Sequence, residues 1–252
     1  MTKKVIAFDL DDTLAITKSP ITDRMGELLA RLLEKYEVCV ISGGSFEQFN
    51  IQIISRLNLP PNLLTKLHLL PTCGTQYYIY NEQSKQWKRQ YANFLTEKQK
   101  KRIFELLEEG AKKFRLWETN PMGEIIEDRD SQVTYSALGQ QATAEMKHGW
   151  DSDGQKRQKI IDYIKPKIPE LEVRFGGSTS IDITMAGVDK AYGMRKLMEQ
   201  MNIEKGDILF IGDKIQKDGN DYPVKAMGID TIAVKNSEET EKVIEEILAD
   251  NN

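Results

Sequence analysis

The chain has 252 residues, 40% of them hydrophobic and 29% charged, with a formal net charge of −4. That is enough apolar material for one large domain or two small ones, and it excludes a global basic field for nucleic acid. No apolar run approaches the ~20 residues of a membrane span.

The first residues show no apolar signal region, which suits a cytoplasmic chain. Cys39 and Cys73 lie in apolar surroundings and read as two buried thiols in a reducing compartment. Two histidines, His68 and His148, are too few for a multi-histidine metal centre. Any metal is therefore expected on oxygen ligands, which favours Mg²⁺.

"KVIAF" is a short apolar run without alternation, as in a parallel strand buried on both faces. From Asp23, Met25, Leu28, Leu29, Leu32, Leu33 and Tyr36 recur at helical spacing and predict a helix. "VCVIS" predicts a second buried strand, followed by Gly43-Gly44-Ser45. Thr96 to Phe114 reads as a long helix, with Thr96 and Gln99 forming a capping box. The extended stretches "EIIED" and "QVTYSAL" follow, then a helix over 155–164 and strands "EVRFG" and "SIDITM". Their alternation predicts an antiparallel sheet with one covered face. Val188 to Met201 reads as a helix, "DILFIG" and "DTIAV" as strands, and Glu238 to Leu248 as a final helix. The pattern predicts an α/β fold: a Rossmann-like parallel-sheet core from residues 1–83 and 185–252, with an α+β domain inserted over 84–184. The insert is slightly basic where the rest is acidic, which suits an anionic substrate.

Ligands of a parallel sheet gather at the carboxyl ends of its strands. Asp9 and Asp11 sit at such an end, two residues apart on one side of an extended backbone. Such a pair suits a bound cation, one carboxylate attacking as a nucleophile and the other moving a proton. Alone, D-x-D equally suits a residue that caps the next turn. Ser42 with Gly43 and Gly44 offers a hydroxyl and backbone N–H groups for a phosphoryl oxygen, or an ordinary turn. Lys190 at a helix start is either a surface charge or the cation that neutralises phosphate and nucleophile together. "ILFIGDKIQKDGNDYP" ends a strand at Asp213, which can join Asp9 on a metal. It runs on to Asp221, which can orient Lys190 or a metal-bound water.

The ordered set "DLDDTL", "ISGGS", Lys190 and "GDKIQKDGND" resembles the haloacid dehalogenase superfamily of aspartate-dependent phosphotransferases. The insert's place between the second and third motifs resembles the type IIB cap. The resemblance implies that Asp9 becomes an aspartyl-phosphate and that Asp11 helps form and break it. It implies Mg²⁺ on Asp9, Asp11 and Asp213 with Asp221 nearby, and it leaves Asp12 as a turn residue. The long "GDKIQKDGND", together with "GGSFEQF", "GGSTSIDI" and "VDKAYGM", is similar to the eukaryotic-type phosphomannomutases from end to end. That family implies a phosphosugar substrate, a hexose bisphosphate activator and room for a homodimer through the cap. It implies cap contacts to the second phosphate at Arg129, and to sugar hydroxyls at Ser180 and Asp182. Gln140 and Lys147 stand where the family has arginines, Lys18 replaces a core arginine, and Asp12 replaces a glycine. Arginine grips phosphate with a two-pronged fork, lysine is a point charge and glutamine is neutral. The reading is thus a Mg²⁺-dependent phosphohexomutase, with a sugar-phosphate phosphatase as the alternative.

Overall fold

A computed structural model describes residues 3–249, and the chain divides into two compact units. One holds the residues up to Ala92 together with those from Asp189 onward; the other is Asn93–Val188.

The first unit is built on β1 (Val5–Asp9), α1 (Asp23–Lys35), β2 (Glu37–Ile41), α2 (Phe46–Gln52), α3 (Pro61–Leu64), β3 (Leu67–Leu70), β4 (Gln76–Asn81) and β5 (Gln86–Ala92). In the second unit lie α4 (Glu97–Lys113), β6 (Ile126–Asp128), β7 (Gln132–Ser136), α5 (Ala144–Trp150), α6 (Gln155–Ile164), β8 (Leu171–Phe175) and β9 (Ser180–Met185). The chain returns to the first unit with α7 (Lys190–Met201), β10 (Ile208–Gly212), α8 (Tyr222–Ala226), β11 (Asp230–Ala233) and α9 (Ser237–Ala249).

The first unit's sheet runs β11-β10-β1-β2-β3-β4-β5. Its first five strands are parallel; β4 and β5 add an antiparallel edge. Period-two alternation along β1 sends Ile6 and Phe8 to one layer, against Met25, Leu28 and Leu32 of α1 and Ile244 of α9. Val5 and Ala7 go to the other, with Ile41, Phe210 and Met194 and Leu197 of α7. A strand covered on both faces must be apolar throughout, which is why "VIAF" shows no alternation. Helix α1 starts where Thr22 accepts the Met25 N–H, and its stripe of leucines is fully buried.

The second unit is a four-stranded antiparallel sheet, β6-β7-β9-β8. One face, with Val133, Tyr135, Ile181, Ile183 and Val173, packs on Ile103, Leu106 and Leu107 of α4 and Ile160 and Ile164 of α6. The other carries Gln132, Thr134, Ser136, Ser180, Asp182 and Arg174, because each strand alternates.

The units part at Ala92 and Asp189, not at 84 and 184 as the sequence suggested. The difference is β5, which pairs with β4 in the first unit's sheet. As an edge strand it keeps lysine, arginine and glutamine outward, so its composition hides it. Cys39 is buried as expected; Cys73 is only partly so.

Candidate active site

Asp9 is the last residue of β1 and continues the alternation of Val5 and Ala7, so it faces the layer that holds α7. Its register places it beside Ile41 of β2, while Phe8 pairs with Ile211 of β10. Ser42 and Asp213 each follow the end of a neighbouring strand. Asp189 caps α7 by accepting the Tyr192 N–H at 2.8 Å, which sets Lys190 as the helix's first residue.

Lys190 is buried, and its Nζ lies 2.5 Å from Asp9 Oδ1 and 2.5 Å from Asp221 Oδ1. It is therefore no surface charge. Asp221 is fully buried, and its second oxygen accepts the Lys214 N–H at 3.0 Å. Burial works against the Lys190 charge, but Asp9 and Asp221 outweigh it and hold its pKa above the ordinary value. Burial pushes Asp9 up to about 8; Lys190 pulls it down, while Asp221 and Asp213 add to the rise.

Three carboxylates meet two ammonium groups here, the buried Lys190 and the half-exposed Lys214, so negative charge is in excess once all three are ionised. Asp9, Asp213 and Asp221 can each offer an oxygen, with all three oxygens within 4.8 Å of one another. Asp213 Oδ1 is buried and has no hydrogen-bond partner among the described residues, while its Oδ2 lies 3.0 Å from Lys214 Nζ. An all-oxygen donor set with surplus charge and an orphaned carboxylate oxygen fits a hard divalent cation.

The other two carboxylates of the first motif part company. Asp11 Oδ1 accepts the Lys18 N–H at 2.8 Å and the Gln52 amide at 3.0 Å. Asp12 adopts φ +62°, in the region that favours glycine, which accounts for the glycine of the family pattern. Its Oδ1 accepts the Thr17 N–H and hydroxyl at 3.1 and 2.8 Å, so it is consumed by the turn. The Lys18 side chain is exposed.

Ser42 is buried, and its Oγ accepts the Gly44 N–H at 3.0 Å. The Gly44 amide is thus engaged with Ser42, where the sequence suggested an open group. The Ser42 hydroxyl keeps its own proton for an acceptor.

In the second unit, Asp182 Oδ1 accepts the Thr134 hydroxyl at 2.8 Å on the polar sheet face, and Ser180 pairs with Ser136 further along it. Arg129 lies in the turn from β6 to β7, 2.7 Å from Glu127 Oε2. Gln140 follows the opposite end of β7, and Lys147 Nζ donates to its main-chain carbonyl at 2.9 Å. The backbone therefore brings Gln140 and Lys147 together and sets Arg129 at the other end of the strand.

Gln52 and Lys214 were missed by motif reading. Gln52 had a faint signal, a polar residue one turn after Phe49 on the buried side of α2.

Among the described residues, no helix is long and apolar enough to cross a membrane. The sequence profile of the eukaryotic phosphomannomutases matches residues 25–250. A phosphomannomutase of Drosophila melanogaster is 26% identical, over 97% of this chain and 95% of its own. One of Encephalitozoon cuniculi is 24% identical, over 98% and 94%. Among solved structures, a haloacid dehalogenase-like hydrolase from Bacteroides thetaiotaomicron matches with a TM-score of 0.63 at 17% identity, covering 98% of this chain and all of that one. That likeness shows the fold. The buried Asp9–Lys190–Asp221 group sits at the strand ends of this haloacid dehalogenase fold, and the profile runs through nearly the whole chain: it belongs to the eukaryotic phosphomannomutase family.

Proposed function

We propose that the chain moves phosphoryl groups on a hexose phosphate through an aspartyl-phosphate at Asp9, as a mutase interconverting mannose 6-phosphate and mannose 1-phosphate. The observation that carries this reading is the buried Lys190 bridging Asp9 and Asp221. Lys190 sets the Asp9 carboxylate and neutralises charge gathering on the transferring group. Ser42 donates its hydroxyl to a phosphoryl oxygen. Asp11 protonates the leaving sugar oxygen and takes the proton from the oxygen that next attacks. Mg²⁺, held by Asp9, Asp213 and the backbone at Asp11 with Asp221 behind them, would supply further positive charge to the phosphoryl oxygens.

The phosphate that is not reacting is assigned to Gln140 and Lys147, which the backbone brings together, with Arg129 adding its charge from the other end of β7, and the sugar hydroxyls are assigned to Ser180 and Asp182. Lys18 completes the substrate-binding set at the first unit. A hexose bisphosphate is the expected activator, since it can phosphorylate Asp9 at the outset. The same reading extends to a homodimer through the insert. The cytoplasm is the expected compartment, as two cysteines outside any disulfide suggest.

A phosphatase is the second reading, because Gln140 stands where a charged fork would retain the bisphosphate. A panel of hexose 1- and 6-phosphates, scored separately for isomerised product and released phosphate, tests both. Absence of both products with every hexose would overturn the substrate class.

A further inference from the structure

Helix α2 ends in a glutamine that no motif demands. Gln52 is 1% exposed and projects toward the loop that follows the catalytic strand. Its Nε2 donates to Asp11 Oδ1 at 3.0 Å and to the Ser19 carbonyl at 3.1 Å. Both neighbours are acceptors, so the amide nitrogen must face them. Its main-chain carbonyl accepts the Ile21 N–H at 2.9 Å. One residue thus holds the Asp11–Ile21 loop at three points.

The Gln52 Oε1 atom is buried and has no hydrogen-bond partner among the described residues. A buried amide with an orphaned oxygen is a poor choice for packing alone, because an apolar side chain of similar shape fits without that cost. Asp11 gains from the arrangement. Its Oδ1 is held by two donors, Gln52 and the Lys18 N–H, and its Oδ2 receives no hydrogen bond from the described residues.

We propose that Gln52 is a positioning residue: it locks the Asp11 carboxylate through Oδ1 so that Oδ2 is the oxygen that carries the proton in phosphoryl transfer. The inference rests on the assignment of Asp11 as the acid. In that step an Asp9 oxygen bonds to phosphorus and the bond from phosphorus to the sugar oxygen breaks. The sugar oxygen takes the proton from Asp11 Oδ2, leaving a neutral sugar hydroxyl, an aspartyl-phosphate and the Asp11 carboxylate. A sugar alkoxide is a poor leaving group and needs that proton; p-nitrophenolate does not.

Leaving-group dependence therefore reads the position of Asp11. The kcat/KM for a hexose 6-phosphate and for p-nitrophenyl phosphate is compared in wild type, Gln52→Met, Gln52→Glu and Asp11→Asn. Gln52→Met keeps the bulk and removes the donor. Gln52→Glu keeps the shape and turns an oxygen toward Asp11 Oδ1, so the test survives if the methionine variant fails to fold. Both should lose about 10–100-fold on the hexose phosphate and less than about threefold on the aryl ester. The melting temperature of Gln52→Met should fall, because the Ser19 carbonyl and Asp11 Oδ1 each lose a donor, so the ratio between the two esters is the readout that a merely structural role would not move. Asp11→Asn should show the same selective loss, about 10²–10⁴-fold. Wild-type rates, or equal losses on both esters, in the Gln52 variants beside a selective Asp11→Asn would overturn the positioning role. An Asp11→Asn variant that loses both esters equally would overturn the acid assignment itself.

Discussion

At the residue scale, the site is a balance of buried charges. Asp9→Asn keeps the shape of the carboxylate and removes the attacking oxygen's charge, so turnover should fall by several orders of magnitude. Activity within about tenfold of wild type would show that another group attacks. The same residue should tie stability to pH. Its carboxyl moves from an ordinary 3.8 to about 8, chiefly through burial. A group whose native pKa lies above its unfolded value stabilises the fold while protonated. That stability is complete below the unfolded pKa and is lost as the pH rises toward 8. Melting temperatures of metal-free protein should therefore fall between pH 5 and pH 8, and Asp9→Asn should flatten the slope. Mg²⁺ favours the ionised carboxylate, so it should raise the melting temperature more at pH 8 than at pH 5. Equal shifts at both pH values would separate the cation from Asp9.

The second unit offers a residue-scale test of mutase against phosphatase. One charge-assisted contact contributes about 1.5–3 kcal/mol. Gln140→Arg should accordingly raise the ratio of isomerised product to released phosphate by roughly tenfold or more. Arg129→Ala should lower that ratio while p-nitrophenyl phosphate hydrolysis persists. A ratio unmoved by either change would remove both residues from the second phosphate.

At the scale of elements, the placement of Lys190 depends on how closely α7 approaches its neighbours. A Cβ on Gly193 would lie 2.8 Å from the Cys73 carbonyl oxygen and 2.4 Å from Ile41 Cδ1. A side-chain tip can move; the carbonyl belongs to a turn where Thr72, Cys73 and Gly74 all have positive φ, and it is tied to Ser42 through the Cys73 N–H. Alanine in place of glycine favours a helix by about 1 kcal/mol, and overpacking costs about 1–3 kcal/mol. Gly193→Ala should therefore lower the melting temperature slightly and kcat more strongly, because the helix carrying Lys190 must shift. Unaltered kinetics would mean that the turn yields instead. The β4–β5 hairpin shows the opposite relation of sequence to element. β5 carries Lys88 and Arg89 outward along a sheet edge, and its pairing with β4 assigns it to the first unit.

For the whole molecule, legibility followed burial. Strands covered on both faces, such as β1, β2 and β10, are continuous apolar runs, and the helices that cover them carry 3.6-residue stripes. Those patterns follow from what must be hidden from water, so the α/β architecture, the inserted antiparallel sheet and the strand-end aspartates could be read directly. The short elements α3, α5 and α8 and the polar edge strand could not, because their positions come from contacts distant in the chain. The same division runs through the site. Sequence order alone set Asp9, Ser42 and Asp213 at or just past the carboxyl ends of neighbouring strands, since a parallel sheet leaves its loops there. Tertiary structure decided which groups meet. Asp221 lies 31 positions from Lys190 and Gln52 lies 41 from Asp11, yet each touches its partner. Hydrogen bonds and ion pairs depend on fractions of an ångström between atoms that the chain brings together only by packing, and no local periodicity encodes that distance.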